Sequence, residues 1–175
     1  STDGVHLFKP HSGAISSLAW NAVGTSLLSS SYDGTVRLFD ANKGVFEEIF
    51  ASYSDDKQYK GKIGYGTDHG WNSWIQSMEL DHRYESGKCF FLSTSEGGVM
   101  HIDLRTKGVV TFDQELSEKK INTVSLHCDG NIMATGGLSG LVQLWDVRKV
   151  VKLSNNSSKL PKPLAWQSAG RSINS

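Results

Sequence analysis

Short segments in which apolar and polar residues alternate recur along the chain and predict β-strands. Such segments lie at residues 13–20, 73–78 and 120–126. A period of two places every second side chain on the same face of a strand, so the apolar residues of each segment share one face. Each alternating segment is followed by a second short apolar run and a turn. The pattern therefore predicts an all-β protein made of short strands.

The strands occur in a repeated order. Three apolar runs end in an aspartate, at residues 36–40, 99–103 and 142–146, and each follows a turn of small or acidic residues. The three aspartates are 63 and 43 positions apart. A spacing of 43 fits one four-stranded blade of a β-propeller, and 63 fits one blade plus about twenty residues. The repeat predicts about three blades.

The spacing also predicts how the chain is organised. It gives five segments: a first repeat with the outer strand of the next at 1–50, an insertion loop at 51–70, the second and third repeats at 71–149, a polar loop at 150–163, and the start of a fourth repeat at 164–175. Three blades and the start of a fourth are too few to close a ring, since propellers typically have 4–8 blades. We therefore expect a fragment of a larger propeller.

Single positions within the first repeat resemble the WD40 repeat family. His11, Ser29 and Asp33 have the spacing at which the family places His, Ser or Thr, and Asp. The resemblance implies a buried, hydrogen-bonded set of side chains that links the strands of one blade. The family completes this set with a Trp, and Phe39 occupies that position here. We expect the set to be weaker without the indole donor.

The third repeat resembles the family at different positions. It contains the Trp145-Asp146 pair that gives the family its name, and Thr135 stands where the first repeat has Ser29. Ser139 replaces the aspartate, and no histidine opens the repeat. The three repeats in register resemble a WD40 β-propeller, and the resemblance implies about seven blades in the whole protein.

Three longer runs, at residues 5–11, 28–35 and 46–50, resemble one group within this family. They are similar to the nuclear WD repeat proteins related to the yeast "changed mutation rate" protein, and through them to the WD subunit of the UV-damaged-DNA-binding complex. The resemblance implies a nuclear, DNA-binding protein of genome maintenance that prefers UV-damaged DNA and associates with chromatin proteins. No damage-probing hairpin of the damage-binding subunit is recognisable in the chain.

Five lysines are candidate DNA contacts. They lie in predicted connections from the outer strand of one blade to the inner strand of the next: Lys57, Lys60, Lys62, Lys119 and Lys120. These connections share one face of a propeller, where lysines neutralise phosphates and interleaved aromatic residues stack on exposed bases. Neighbouring acidic residues dilute the charge, and a charged loop is commonly solvated surface. Both interpretations remain open at this stage.

Two Asp-x-Arg sequences are candidate protein contacts. Asp103 and Arg105 follow one predicted strand, and Asp146 and Arg148 follow its counterpart in the next repeat. They resemble the WDxR box of substrate receptors that dock on the adaptor of cullin-4 ubiquitin ligases. A guanidinium presents fixed donors to carboxylates or carbonyls of a partner. The alternative is that each pair only fixes its own turn, a contribution of about 0.2–1 kcal/mol.

Composition excludes several other functions. The 18 basic and 18 acidic residues balance, which excludes a uniformly basic nucleic-acid arm. The longest apolar runs are too short to span a membrane, so no membrane partner is expected. Cys89 and Cys128 predict reduced core thiols of an intracellular protein. The six histidines lack metal-ligand spacing and catalytic motifs are absent, so we expect no metal, cofactor, small-molecule substrate or enzyme activity.

Overall fold

The structure is a computed structural model that describes residues 4–52, 63–64, 74–95, 99–105, 108–112 and 121–148. Within these ranges the chain forms twelve β-strands: β1 Ile15–Trp20, β2 Ser26–Ser31, β3 Thr35–Asp40, β4 Val45–Ala51, β5 Ile63–Gly64, β6 Ile75–Leu80, β7 Cys89–Thr94, β8 Val99–Asp103, β9 Gly108–Phe112, β10 Ile121–Leu126, β11 Ile132–Gly137 and β12 Val142–Asp146. The described part contains no helix with the length and apolar character needed to cross a bilayer.

The strands form three separate sheets in which neighbours along the chain pair. Blade 1 has the order β1-β2-β3-β4, blade 2 has β6-β7-β8-β9 and blade 3 has β10-β11-β12, and all of these pairs are antiparallel. The predicted all-β fold of successive propeller blades is confirmed. Inside the predicted insertion loop, the two-residue strand β5 adds to blade 1 by pairing parallel with β4.

The blades share the same irregularity, which shows that they are structural repeats. The register between the first two strands shifts after Ile15 in blade 1, after Ile75 in blade 2 and after Ile121 in blade 3. Such a bulge increases the local twist of a strand pair. Because the registers coincide, positions in one blade have defined equivalents in the others.

Most of the apolar core lies between blades. One cluster joins side chains of blade 1, such as Leu28 and Val36, to the inner strand of blade 2, and a second joins blade 2 to blade 3. The apolar residues of β6 and β10 are almost fully buried in these clusters. The equivalent residues of β1 are half exposed: Ile15 at 50%, Leu18 at 58% and Trp20 at 52%. A blade therefore buries this face against the blade before it.

Antiparallel pairing places the connections at two opposite ends of each blade. We call one end the turn face; it holds residues 11–14, 32–34, 74, 95 and 138–140. The other end is the arginine face, with residues 21–25, 41–44, 81–88, 104–105, 127–131 and 147–148. Contacts between blades keep the faces aligned: the Asn21 amide of blade 1 donates to the Glu85 carbonyl of blade 2 at 3.3 Å.

Candidate functional site

A polar set of side chains links the strands of blade 1. His11 is 6% exposed and lies on the turn face before β1. Its Nδ1 lies 3.0 Å from Asp33 Oδ2, and its Nε2 lies 2.8 Å from the Ser29 hydroxyl. The residues that the sequence singled out by spacing thus contact each other, because β2 and its turn carry Ser29 and Asp33 towards the segment that enters β1.

Thr35 also belongs to this set, although the sequence analysis did not include it. Its hydroxyl donates to Asp33 Oδ1 at 2.6 Å and lies 3.1 Å from His11 Nδ1. The main-chain N–H groups of Ser12 and Thr35 also donate to the Asp33 carboxylate. Threonine at the second position after an aspartate in a tight turn is the signal that points to such a contact.

The hydrogen bonds on Asp33 determine its ionisation. Burial raises the pKa of this carboxyl, but the donors from Thr35, Ser12 and His11 outweigh burial and lower the pKa from 3.8 to about 2. The carboxylate is therefore charged at neutral pH. Gly34 follows it with a φ of 79°, a conformation that favours glycine and closes the turn.

The side-chain contacts described for Phe39 are with other aromatic rings. Its ring centroid lies 4.9 Å from that of Phe46 and 5.3 Å from that of Phe8. In blade 3 the equivalent Trp145 is 2% exposed, and its indole Nε1 donates to the Thr135 hydroxyl at 3.0 Å. Phe39 thus replaces a hydrogen bond with aromatic packing on the outer strand and the chain start.

Both Asp-x-Arg sequences form two-point ion pairs on the arginine face. Arg105 donates to Asp103 through Nε at 3.0 Å and Nη2 at 2.8 Å. Arg148 contacts Asp146 in the same way, with both distances 3.0 Å. The side chains of Arg105 and Arg148 are 39% and 61% exposed. Each guanidinium is therefore held by its own carboxylate while part of it faces solvent.

A third pair on the same face was missed by the sequence analysis. Arg83 donates to Asp81 through Nε at 2.8 Å and Nη2 at 2.5 Å, and the Asp81 side chain is fully buried. Burial opposes the charge of Asp81, but the Arg83 guanidinium and His101 hold the pKa of its carboxyl well below the usual range. The sequence feature that could have identified this pair is the same Asp-x-Arg spacing after an apolar strand. Here the spacing follows β6, the first strand of its blade, whereas the two predicted pairs follow the third strand of theirs.

Two arginines of blade 2 lie beside the same tyrosine on this face. The Arg105 guanidinium lies 3.8 Å from the centre of the Tyr84 ring, and the Arg83 guanidinium lies 5.7 Å from it. The stem of Arg83 covers the position where a side chain at Gly130 of blade 3 would begin. Arg83 of blade 2 therefore packs against the turn between β10 and β11 of blade 3.

Other predicted residues lie outside the described part of the chain. These are the five candidate lysines, most of the insertion loop, the polar loop at 150–163 and the fourth repeat at 164–175. Their roles stay predictions.

The two cysteines differ, although both were expected in the core. Cys89 is buried in β7, where burial and the neighbouring Asp103 carboxylate raise the pKa of its thiol to about 12. Cys128 is exposed, so the expectation was wrong for it. It lies in the tight turn between β10 and β11, where the chain leaves the core. The described residues contain no group of His, Cys, Asp or Glu suited to hold a metal ion.

These features define a class of protein. The repeated blades, the His11 set and the Trp145-Asp146 pair occur together with two matches to the family model described as "WD domain, G-beta repeat", at residues 3–40 and 108–146. The two matched segments are therefore WD40 repeats, and the sheets that they form have the blade structure of a β-propeller.

The chain is also similar to curated proteins over most of its length. The chain is 28% identical to "DNA damage-binding protein CMR1" of Chaetomium globosum over 95% of its length, which covers 31% of that protein. It is 28% identical to "WD repeat-containing protein 76" of Rhinolophus ferrumequinum and 29% identical to that of Xenopus laevis, over 85% and 86% of the chain. Those matches cover 21% and 23% of the relatives, so the chain spans less than a third of each.

Proposed function

We propose that this chain is part of a nuclear, non-enzymatic DNA-binding protein of the DNA damage response, with a preference for UV-damaged DNA. The observation that carries the proposal is the similarity to proteins named DNA damage-binding protein across almost the whole chain. The WD40 blades supply a rigid support for loops, and loops on such supports commonly carry binding residues.

The DNA contacts are proposed on the turn face. Lys57, Lys60, Lys62, Lys119 and Lys120 belong to connections that enter an inner strand, as the segment before β1 does. In blade 1 the connection after β4 begins beside the turn at Asp33, where the Ser52 N–H donates to the Gly34 carbonyl at 2.8 Å. Lysine side chains neutralise DNA phosphates and release their counterions, which is the physical basis of this proposal.

The test is a salt titration of DNA binding by the complete protein, on UV-irradiated and untreated duplexes. We expect tighter binding to irradiated DNA and a log–log salt slope of about −0.9 for each phosphate contacted. Charge reversal at the five lysines makes the slope shallower. Lys43→Glu is the matched control, since Lys43 is 73% exposed on the opposite face. An unchanged slope in the five-lysine variant contradicts the assignment, and absence of binding at low salt contradicts DNA binding itself.

A second function is supported by a separate observation, the two-point ion pairs on the arginine face. The alternative is a protein-interaction scaffold or substrate receptor that docks on the adaptor of a cullin-4 ubiquitin ligase through Arg105 and Arg148. Each arginine is oriented by its own aspartate and partly exposed, which suits a partner that offers carboxylate or carbonyl oxygens. The two functions use opposite faces and are compatible.

The test of this alternative is co-purification of the adaptor with the complete protein. We expect Arg105→Ala with Arg148→Ala to abolish it and to leave DNA binding unchanged. Blade 1 offers a matched control in the corresponding connection, where Lys43 pairs with Asp40 at 3.3 Å. Lys43→Ala should have no effect. Undiminished co-purification of the double variant shows that the pairs serve only their turns.

A further inference from the structure

Two large aromatic side chains lie next to each other on the turn face and are exposed. Tyr32 is 50% exposed and Trp74 is 44% exposed. Their ring centroids are 6.1 Å apart, and the ring planes are inclined by 46°. Tyr32 belongs to blade 1, and Trp74 immediately precedes the inner strand of blade 2. The pair thus forms an aromatic patch across the junction of two blades.

The main chain holds both residues in place. The Tyr32 N–H donates to the Ala14 carbonyl at 2.9 Å, and the next residue, Asp33, is fixed by the hydrogen bonds of the His11 set. The Trp74 carbonyl accepts the Ser95 N–H at 3.0 Å. The rings are therefore presented from rigid supports, which lowers the entropy lost when a ligand packs on them.

The blade structure itself does not require these aromatic residues. The position of Tyr32 is occupied by Ser95 in blade 2 and by Leu138 in blade 3, and the turn glycines that follow in blades 1 and 3, Gly34 and Gly140, share a φ of 79°. The position of Trp74 is occupied by Ala14 in blade 1, with the same hydrogen bond to the following turn. The aromatic character of this patch is thus a local feature rather than part of the repeat.

The geometry selects how a planar ligand binds. A ring inserted between two others needs roughly 7 Å, since each contact takes about 3.5 Å, so a third ring does not fit between Tyr32 and Trp74. It stacks instead on an outward ring face. Nucleobases have such π-faces and stack on aromatic side chains in single-stranded DNA complexes. In an intact duplex these faces are covered by neighbouring base pairs.

We propose that Tyr32 and Trp74 form a stacking platform for an unpaired base of DNA. The inference rests on the proposed DNA-binding function and gives it a physical basis for damage preference. Moving a base out of the stack costs least where pairing is already disturbed. A platform that binds only unstacked bases therefore favours damaged or single-stranded DNA over intact duplex.

The test measures the affinity of the complete protein for three fluorescein-labelled probes. These are an oligothymidylate, an intact duplex, and the same duplex with one unpaired thymine. We expect the double variant Tyr32→Leu with Trp74→Ala to bind the oligothymidylate and the duplex with the unpaired thymine about tenfold more weakly. Its affinity for the intact duplex should be unchanged. Tyr32→Phe with Trp74→Phe keeps the stacking faces and should restore affinity. Leu138→Ala is the matched control, because it removes apolar surface from the equivalent turn, where Leu138 is 70% exposed.

Each other outcome overturns the proposal. Equal weakening on all three probes shows that the substitutions disturb the lysine connections or the fold, not base stacking. Unchanged affinity for the oligothymidylate shows that the patch does not bind bases, and a protein partner lost from the double variant would then assign the patch to that partner. If the unaltered protein binds none of the probes, the proposed DNA-binding function fails as well.

Discussion

Blades 1 and 2 hold their strands together by different means at equivalent positions. In blade 1, Ser29 contacts His11 within a buried polar set. In blade 2 the equivalent residue is Leu92, and Ile102 stands where blade 1 has Phe39; both are fully buried in the apolar cluster between the blades. No hydrogen bond of the kind made by His11 is needed there, because the side chains at these two positions have no polar atoms.

The difference shows that apolar side chains can replace a buried polar set at equivalent positions of a blade. A hydroxyl or carboxylate in a blade interior costs free energy unless its partners are present, whereas apolar residues of suitable volume are tolerated. Blade 3 is intermediate, since it retains only the bond from Trp145 to Thr135. Repeats of one fold thus keep their register while the interactions that stabilise each blade change.

The largest expected effect comes from placing one residue of the polar set into blade 2. Leu92→Ser should lower the free energy of unfolding by about 4 kcal/mol, since it leaves a cavity and buries a hydroxyl without the histidine that blade 1 supplies. Leu92→Ala is the matched variant and should cost about 3 kcal/mol. Urea unfolding of the complete protein measures both. A smaller loss for serine than for alanine would show that the site supplies a partner for the hydroxyl.

A smaller effect is expected when the polar set of blade 1 loses its anion. Asp33→Ala removes the acceptor for Ser12, Thr35 and His11 and should cost about 2–3 kcal/mol. Glu47→Ala, at an exposed position of β4, should change stability by less than about 0.5 kcal/mol. Thermal unfolding of the two variants distinguishes them. Equal melting temperatures would mean that the hydrogen bonds of Asp33 contribute no net stability.

The smallest effect is the pH dependence that Asp33 confers on blade 1. Its pKa in the folded protein, about 2, lies below the ordinary 3.8, so its contribution is present above about pH 4 and is lost as the pH falls towards 2. The stability advantage of the unaltered protein over Asp33→Asn should therefore shrink by about 1 kcal/mol across this range, since partial exposure to solvent screens the interaction. Unfolding curves at several pH values test this, and an advantage that does not change with pH contradicts it.

The repeat pattern was sufficient to predict the all-β fold and its division into blades. Local features carried this information: the alternation of apolar residues, the turn before each third strand and the spacing of the closing aspartates. The hydrogen bonds of His11 join residues that the resemblance to the WD40 repeat had already singled out. Periodicity is a property of neighbouring residues, so it can be read without knowing what packs against them.

Other features depended on contacts between blades. The same inner-strand pattern is buried in β6 and β10 but half exposed in β1, and no sequence feature of Leu18 distinguishes it from Met78. The approach of Tyr32 to Trp74 and the packing of Arg83 against Gly130 join residues of different blades. A pattern specifies which face of a strand is apolar. Only the packing of one blade on the next decides what covers that face, because this contact lies outside the range of any local period.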